Sequence, residues 1–465
     1  MRVSGYNLFP CLLGHIKNWY NHIDKIKYMG FEWIYINPIT YPGFSGSLYA
    51  TKYYYKYNIN FFTSSNQDIA EKEIKDFIKY CNNNDIKVMI DLVINHSSKD
   101  CELVNDHFEW YKKTENLQLK SPGAWDNGKW VEWGDLASFN NKRDPNSIDD
   151  KENSDEEYNK VYDNNLEILN PIWHYWDDLI KHNIELGFSG FRCDAAYKVP
   201  KDLWLYLIYN AKKIDNNIIF FAESLGCSID DTQMLIDAGF DYIASSAKWW
   251  DYESEWFLNQ YNLFRGKSKQ IAFPSNHDTR RLIEEYSGNI WRVKQTFLFT
   301  AIVSDMWMIT TGDEYGFIHR CDVVNGNEND YEDINYDLTE YIKNMSNYVK
   351  QNHILANTGK IVSLDIEEKK KIEILIKENN ALLSNCDNDE LYKAENKKDP
   401  FRKFYKYSLD ENQKLLIIVN TTDKKESLNT GRYQIKKDVS FDNIVDIDKE
   451  NIDILPYELK IFELI

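Results

Sequence analysis

Four acidic residues each follow directly on an apolar, strand-like run of this 465-residue chain. They are Asp91 in VMIDLVINH, Asp194 in GFSGFRCDAAY, Glu223 in IIFFAESLG and Asp278 in IAFPSNHDT. A single Asp at such a place commonly caps the helix that follows a strand. Four acids together, accompanied by Arg192, His96 and His277, indicate an active site at the ends of parallel strands.

The types of these side chains suit cleavage of a glycosidic bond. That reaction needs one ionised carboxylate at the anomeric carbon and one protonated carboxyl that donates to the leaving oxygen. Arg192 precedes Asp194 by two residues, so both point to one side of a strand, and the guanidinium favours the charged form that a nucleophile needs. Glu223 follows the apolar run Ile218–Ala222, which predicts a raised pKa and an acid/base role. Asp278 is predicted to bind sugar hydroxyls and to help distort the ring.

Two other interpretations of the same residues remain open. Asp91, His96, Asp194 and His277 could ligate a metal ion for hydrolysis, although Arg192 beside them would repel a cation. A catalytically silent, carbohydrate-binding barrel is the second alternative. In the favoured interpretation, His96 and His277 donate hydrogen bonds to sugar hydroxyls, and no metal or other cofactor is expected.

The elements that must position these residues are strands alternating with helical patterns over roughly the first 350 residues. The apolar runs are Val3–Phe9, Trp33–Asn37, Lys87–Ile94, Gly190–Asp194, Ile218–Ala222, Phe240–Ile243, Ile271–Pro274 and Met306–Thr310. Eight strands in this alternation predict an α/β fold, a (β/α)8 TIM barrel. An open doubly wound sheet is the alternative, but the glycine-rich phosphate fingerprint is missing after the first strand.

Spacing predicts two further domains. Asp194 follows Asp91 by 103 residues, whereas one βα unit takes about 30, so a short inserted domain follows the third strand. The predicted boundaries are 1–96 and 165–355 for the barrel, 97–164 for the insertion and 356–465 for a C-terminal antiparallel β-sandwich domain. The last prediction rests on alternating segments near the C-terminus, which are KIEILIKE, KLLIIVN and ELKIFELI.

Composition restricts the partners. The chain has 55 Lys and Arg against 74 Asp and Glu, a net charge of −19, which makes nucleic acid and anionic membrane surfaces poor partners. Its 14 Trp and 32 Tyr residues suit a neutral, hydroxyl-rich ligand such as a sugar. Seven scattered Cys without a C-x-x-C pair, no leader and no long apolar window predict a cytoplasmic protein.

These motifs, in this order, resemble the α-amylase family, glycoside hydrolase family 13. DLVINH, GFRCDAA, FAES and PSNHD resemble its four short regions, and GDEYG resembles the usual sequence after the eighth strand. The resemblance implies retaining chemistry on α-glucosides, with Asp194 as nucleophile, Glu223 as acid/base and Asp278 as transition-state stabiliser. SGSLYATKYY resembles the segment whose tyrosine, here Tyr49, stacks on the sugar. Asp91, His96, Arg192 and His277 would complete the substrate-binding set.

The sequence also departs from the family pattern. The Lys-His pair of many members, which binds the acceptor and calcium, is replaced by the stretch 195–200 (AAYKVP). Asn95 matches a calcium-ligating position, but the histidine that completes that site is missing, so calcium is not favoured. Around FAESLGCSIDDTQ the chain is similar to glycogen-building maltosyltransferases. Their fourth region departs from the NHD of this chain, so their activity is not carried over. Transglycosylation within the family stays the alternative to hydrolysis, and linkage, exo or endo action and oligomeric state stay open.

Overall fold

Eight parallel strands close into a barrel in this computed structural model, which describes residues 3–64, 66–126, 128–146, 168–380, 399–447 and 449–465. Every strand pairs with its neighbours in chain order, and β1 closes the barrel against β8. The (β/α)8 prediction is confirmed. The strands are β1 (Val3–Leu8), β2 (Trp33–Ile36), β3 (Lys87–Leu92), β4 (Gly190–Cys193), β5 (Ile219–Ala222), β6 (Tyr242–Ala244), β7 (Lys269–Ala272) and β8 (Met306–Thr310).

The barrel strands are apolar on both faces because one face fills the barrel and the other packs on helices. In β2, Trp33 and Tyr35 belong to the interior cluster, whereas Ile34 and Ile36 belong to the cluster shared with the helices. The same alternation carries Met89 inward on β3, so Asp91, two residues further, also faces the interior at the strand's carboxyl end. The two-residue alternation of side chains along β3 therefore places Asp91 in the mouth of the barrel.

Helices surround the barrel and follow its strands. The α-helices are Pro10–Leu13, Ile16–Tyr28, Gln67–Asn83, Glu102–Asp106, Ile172–Leu186, Lys201–Ile214, Ile229–Asp237, Glu255–Phe264, Leu282–Glu285, Ile290–Ile302, Thr339–Gln351 and Leu364–Asn380. Short 3₁₀ turns include Ala196–Lys198, Ala247–Trp249 and Asp313–Tyr315, each in the loop after a barrel strand. In the described part of the chain, no helix is long and apolar enough to cross a membrane. The cytoplasmic location stays a prediction.

Small antiparallel pairs follow β2 and β3 at the mouth of the barrel. Thr40–Pro42 pairs with Thr51–Tyr57, and His96–Ser98 pairs with Leu136–Ser138. A hairpin joins Gly123–Asp126 to Lys129–Glu132. Within the predicted insertion, 147–164 lies outside the described residues, and the boundaries 97–164 stay a prediction.

An antiparallel β region follows the barrel, as predicted. One sheet has five strands in the order Ile361–Ser363, Phe401–Tyr407, Lys414–Asn420, Leu459–Leu464 and Ile435–Asp438, and Glu426–Asn429 pairs with Asn451–Ile454 in a second sheet. A buried cluster that includes Leu416, Ile418 and Phe462 of the first sheet and Leu428 and Ile452 of the second joins them. The domain boundaries 356–465 stay a prediction, and 381–398 lies outside the described residues.

One predicted strand is wrong. KIEILIKE, residues 371–378, lies inside the helix Leu364–Asn380, whereas KLLIIVN and ELKIFELI do form strands. The preceding EEKKK run consists of strong helix formers with opposite charges four residues apart, which favours helix. In addition, the Ser363 side chain accepts a hydrogen bond from the backbone N–H of Ile366 (3.3 Å) at the start of the helix. Local helix propensity and this cap outweigh the short apolar alternation.

Candidate active site

Arg192 holds two of the predicted acids together in the barrel mouth. Its Nη1 donates to both oxygens of Asp91 (3.0 and 2.9 Å) and to Oδ1 of Asp194 (2.7 Å). The Arg192 side chain is only 3% exposed, and its pKa is raised well above its ordinary value by the two carboxylates, although burial acts against the charge. Because this buried arginine stays charged, a permanent positive charge lies next to the carboxylate of Asp194.

Asp91 is saturated with hydrogen bonds from neighbouring side chains. Besides Arg192, its Oδ2 accepts from the hydroxyls of Tyr35 (2.6 Å) and Tyr49 (2.7 Å). Burial raises the pKa of Asp91 to about 6, with Arg192 acting in the opposite direction. Asn37 donates to the hydroxyl of Tyr49 (2.9 Å), which adds a further support to the network. Asp91 therefore serves as a buried anchor for Arg192 and Tyr49.

Glu223 is held by the backbone of two loops. Its Oε2 accepts from the N–H of Ala195 (3.0 Å), and its Oε1 accepts from the N–H of Leu225 (3.0 Å). Ala195 adopts the left-handed conformation (φ 42°), which directs its N–H toward the carboxyl. Burial raises the pKa of Glu223 to about 7, and the charge of Asp194 adds to the increase, while Arg192 opposes it. The side chain is half-buried, so the carboxyl is both shielded from bulk water and reachable from the barrel mouth.

His277 and Tyr49 form a stacked pair beside Asp278. The two rings lie 5.4 Å apart with 6° between their planes, and Nε2 of His277 is 2.7 Å from the Tyr49 hydroxyl. The same nitrogen is 3.2 Å from Oδ2 of Asp278, whose side chain is 52% exposed. Burial lowers the pKa of His277 to about 4, so the ring is neutral at ordinary pH. Asp278 is thus the most accessible of the four acids.

His96 lies beside Asp194. Its Nδ1 accepts from the amide of Asn95 (3.2 Å), so the proton of the neutral ring lies on Nε2. Nε2 is 4.0 Å from Oδ2 of Asp194 and has no hydrogen-bond partner among the described residues. Burial lowers the pKa of His96. The result is an oriented, unpaired N–H donor next to a carboxylate oxygen.

The loop that carries His277 and Asp278 is fixed to the loop after β8. The Ser275 hydroxyl donates to Asp313 (2.9 Å), and Nη1 of Arg281 donates to the same carboxylate (2.9 Å). Arg281 and Asp313 are almost fully buried, which makes this ion pair a rigid brace. Asp313 of the sequence GDEYG therefore anchors the loop that carries His277 and Asp278.

The structure brings all eight predicted site residues together at the mouth of the barrel: seven are joined by hydrogen bonds or close charge contacts, and Glu223 interacts with Arg192, Asp194 and Asp278 electrostatically. Sequence analysis missed Tyr35 and Asn37, although both lie in the same run as Trp33. For Tyr35 the available signal was its spacing of two residues from Trp33 on β2, which gives both side chains the same inward direction, and Asn37 continues that spacing by two more residues just after the strand. Only their partners, Asp91 and Tyr49, explain why polar groups occur there.

Asn95 is the residue that matches a calcium-ligating position of the α-amylase family. Its side-chain amide is engaged with His96 and its backbone carbonyl accepts from the N–H of Phe139 (3.0 Å). In the described ranges, no group of three or more His, Cys, Asp or Glu side chains is arranged for a metal ion. The expectation of no metal stays a prediction, and no step below uses one.

Comparisons with known proteins show which proteins this chain resembles. A family model described as glycogen debranching enzyme, glucanotransferase domain, matches residues 5–131. The chain is 25% identical to a "Beta/alpha-amylase" of Paenibacillus polymyxa over 363 residues, covering 73% of this chain and 27% of that protein. It is 24% identical to an "Alpha-1,4-glucan:maltose-1-phosphate maltosyltransferase" of Picrophilus torridus over 237 residues, covering 48% and 33%.

Among solved structures, an α-amylase from Lactobacillus plantarum superposes with a TM-score of 0.69 at 16% identity, covering 100% of this chain and 99% of that one. The fold and site thus define an α/β-barrel protein with carboxylates gathered at its mouth. The resemblance to the α-amylase family is confirmed. The chain spans about a third or less of the length of the two curated relatives named above.

Proposed function

We propose that this chain is a retaining enzyme that cleaves α-linked glucans or malto-oligosaccharides and passes the glycosyl group to water. One observation carries the proposal: two neighbouring carboxyls have opposite environments. Asp194 is paired with Arg192 (2.7 Å), whereas Glu223 is half-buried with its pKa raised to about 7. One ionised and one protonated carboxyl are what glycosidic cleavage requires.

In the first step, Asp194 attacks the anomeric carbon and Glu223 protonates the leaving oxygen. Arg192 occupies Oδ1 of Asp194, so Oδ2 is the attacking atom, and its bond to carbon forms as the glycosidic bond breaks. The unpaired Nε2–H of His96 lies near Oδ2 and is placed to donate to a sugar hydroxyl. The product is a β-glycosyl ester on Asp194 and a free leaving sugar.

In the second step, Glu223 acts as a base. It takes a proton from water, the oxygen attacks the anomeric carbon, and Asp194 leaves as a carboxylate with net retention of the α-configuration. The exposed Asp278 carboxylate and the rigid Tyr49 ring are assigned to binding the distorted sugar in both steps. Asp278 binds hydroxyls and Tyr49 offers its ring face.

Transglycosylation is the second candidate, with a sugar hydroxyl in place of water. The specific observations in its favour are the match to a glucanotransferase domain model and the maltosyltransferase among the relatives. A metal-dependent hydrolase fits less well, because Arg192 already engages the oxygens of Asp91 and Asp194. Stoichiometric zinc or manganese by elemental analysis would favour that alternative.

The test is product analysis of maltoheptaose cleavage, combined with proton NMR of the first product formed. The α-anomer appearing first, and shorter products alone, support a retaining hydrolase, whereas longer and shorter products together support transfer. Asp194→Asn and Glu223→Gln are expected to lower kcat by several orders of magnitude. Asp178→Asn, a helix position whose side chain is 69% exposed, is the matched control. Near-normal turnover in either active-site variant would contradict the assigned roles.

We also propose a cytoplasmic location, supported by the free thiols of the described cysteines Cys11, Cys81, Cys101, Cys193, Cys227 and Cys321. Cell fractionation tests this: recovery in the soluble cytosolic fraction supports it, and recovery in the culture medium contradicts it.

A further inference from the structure

A cleft lies between the barrel helices and the antiparallel β region, away from the barrel mouth. Its volume is about 270 Å³, close to the lower end of the range for small-molecule sites, which begins at roughly 300 Å³. One wall belongs to the helix Ile290–Ile302 after β7, and the other belongs to the turn 455–458 before the strand Leu459–Leu464. None of the eight predicted site residues lines this cleft, so it is separate from the catalytic centre.

The helix and the β region are joined beneath this cleft. Leu298 of the helix and Leu459 of the last strand line the cleft and are both buried. Gln295, one turn before Leu298, donates from its side-chain amide to the carbonyl of Asn420 (2.8 Å), at the end of the strand Lys414–Asn420. The cleft therefore has a closed base in which apolar side chains predominate.

The turn that forms the second wall is held in place by Glu458. The Glu458 carboxylate accepts hydrogen bonds from the N–H of Leu455 (2.7 Å) and from the side-chain amide of Asn443 (3.2 Å). It is also paired with the fully buried Lys460 (3.2 Å). Because these contacts lie within the protein, the wall is formed without any ligand.

Trp291 stands at the edge of the first wall. Its side chain is 60% exposed, more than that of any other tryptophan whose burial the structure describes. The Lys294 Nζ lies 4.8 Å from the centre of the Trp291 ring and 5.0 Å from that of Tyr341, whose hydroxyl donates to the Lys294 carbonyl (3.0 Å). The indole is thus positioned by its neighbours while much of its surface stays in water.

Other exposed apolar groups adjoin Trp291. Single apolar side chains at a surface are ordinary, whereas an apolar patch with a polar rim indicates a binding site. Across the cleft from Trp291, Leu455 is 43% exposed, and Pro456 and Tyr457 are half-buried. Core packing does not account for this group of apolar surfaces around one cavity.

The polar rim indicates the kind of ligand. Lys294, Asp442 and Asn443 line the cleft, and burial raises the pKa of Asp442 while the charge of Lys294 opposes the increase. An anion would meet the carboxylate of Asp442, and a cation would meet Lys294, which already occupies the two aromatic rings. A purely apolar ligand would take the side chains of Asp442 and Asn443 out of water without replacing their hydrogen bonds. A neutral ligand with both apolar faces and hydroxyls, such as a sugar, satisfies all of these groups.

Topology places the cleft toward the catalytic end of the barrel. The helix Ile290–Ile302 returns the chain from β7 to β8, so it runs against the strands and begins at their carboxyl ends. Trp291 lies in its first turn and follows Asp278 by only 13 residues. A long chain bound on Trp291 is therefore held on the outer side of the end that carries the four acids.

We propose that this cleft is a second, non-catalytic binding site for α-glucan chains, in which Trp291 stacks on a sugar ring and Asp442 and Asn443 bind its hydroxyls. The identity of the ligand rests on the proposed function. Two sites that bind one chain raise its effective concentration at the barrel mouth. The site should therefore matter for polymers long enough to reach both places and not for short oligosaccharides.

Binding is tested by electrophoresis through gels that contain glycogen, with Glu223→Gln in every protein so that the polymer is not cleaved. We expect Trp291→Ala to weaken the retardation by about tenfold in Kd, as the loss of one aromatic contact implies, and Asp442→Ala to weaken it by about fivefold. Trp256→Ala removes a 38% exposed indole from the helix Glu255–Phe264 and is the matched control, which should migrate like the parent protein. Equal retardation of the Trp291→Ala protein and its parent would overturn this site and leave the proposed function intact.

Kinetics with unaltered catalytic residues separate this site from the chemistry. Trp291→Ala should raise KM for glycogen by roughly fivefold with kcat nearly unchanged, and should keep kcat/KM for maltotriose within about twofold. Equal losses on both substrates would mean damage to the catalytic centre and would overturn the assignment. If the apolar dye ANS binds in a Trp291-dependent way and maltoheptaose does not displace it, the sugar assignment is wrong. A wild-type protein that is inactive on both substrates but retarded through Trp291 would refute the proposed function and support this site.

Discussion

The raised pKa of Glu223 has a consequence for stability that is independent of any substrate. Burial raises this pKa from its ordinary value of 4.5 to about 7. The folded protein therefore disfavours the ionised carboxylate relative to the unfolded chain. The protonated carboxyl contributes its full stability below pH 4.5, the pKa in the unfolded chain. This contribution is lost as the pH rises through the folded-state pKa, and the loss is complete above about pH 7. A difference of 2.5 between these two values corresponds to about 3 kcal/mol of unfolding free energy.

Glu223→Gln removes this titration. Glutamine also loses one of the two backbone hydrogen bonds, since its NH₂ group faces an N–H of Ala195 or Leu225, at a cost of about 1 kcal/mol that does not depend on pH. We therefore expect the variant's stability relative to wild-type to improve by about 3 kcal/mol between about pH 4 and about pH 8.

Urea unfolding, followed by tryptophan fluorescence at several pH values, measures this change. Glu185→Gln, an exposed position on the helix Ile172–Leu186, is the control and should show no such trend. The slope with pH is the decisive quantity, because the constant cost of the lost hydrogen bond cancels between pH values. If the difference between variant and wild-type stays flat from about pH 4 to about pH 8, burial does not keep Glu223 protonated and the acid/base reasoning is refuted.

Three further predictions concern the same network. The rate, measured as kcat/KM on maltoheptaose, should fall about tenfold per pH unit above about pH 7, as Glu223 loses its proton; a profile that stays level to about pH 9 would contradict this. Arg192→Met should destabilise the fold by about 3–5 kcal/mol in urea unfolding, because Asp91 is left buried without its counter-charge. Tyr35→Phe should cost about 1.5–3 kcal/mol, as the carboxylate of Asp91 loses one donor, and unchanged unfolding would show that this hydrogen bond is dispensable.

Much of the fold was predictable because its signals are local. Apolar runs of strand length alternate with helical periodicity, and each of the eight predicted runs overlaps one strand of the barrel. The wrong prediction at KIEILIKE is also local in origin, because a short alternating apolar segment is compatible with both a strand and a helix. The helix-forming run before it and the Ser363 cap favour the helix. When the strand and helix preferences of a segment are of similar strength, the flanking residues decide which one forms.

The sequence by itself determined which groups are available: four acids at strand ends, Arg192 two residues from Asp194, and an apolar run before Glu223. Only the tertiary structure decided how they are used. It placed Arg192 between Asp91 and Asp194, attached Tyr49 to Asp91 across 42 positions of sequence, and separated the buried Trp250 from the exposed Trp249. The physical reason is that the charge state and the exposure of a side chain depend on neighbours that are distant in sequence and come close only when the chain folds. Sequence spacing specifies direction along a strand but not distance across a barrel.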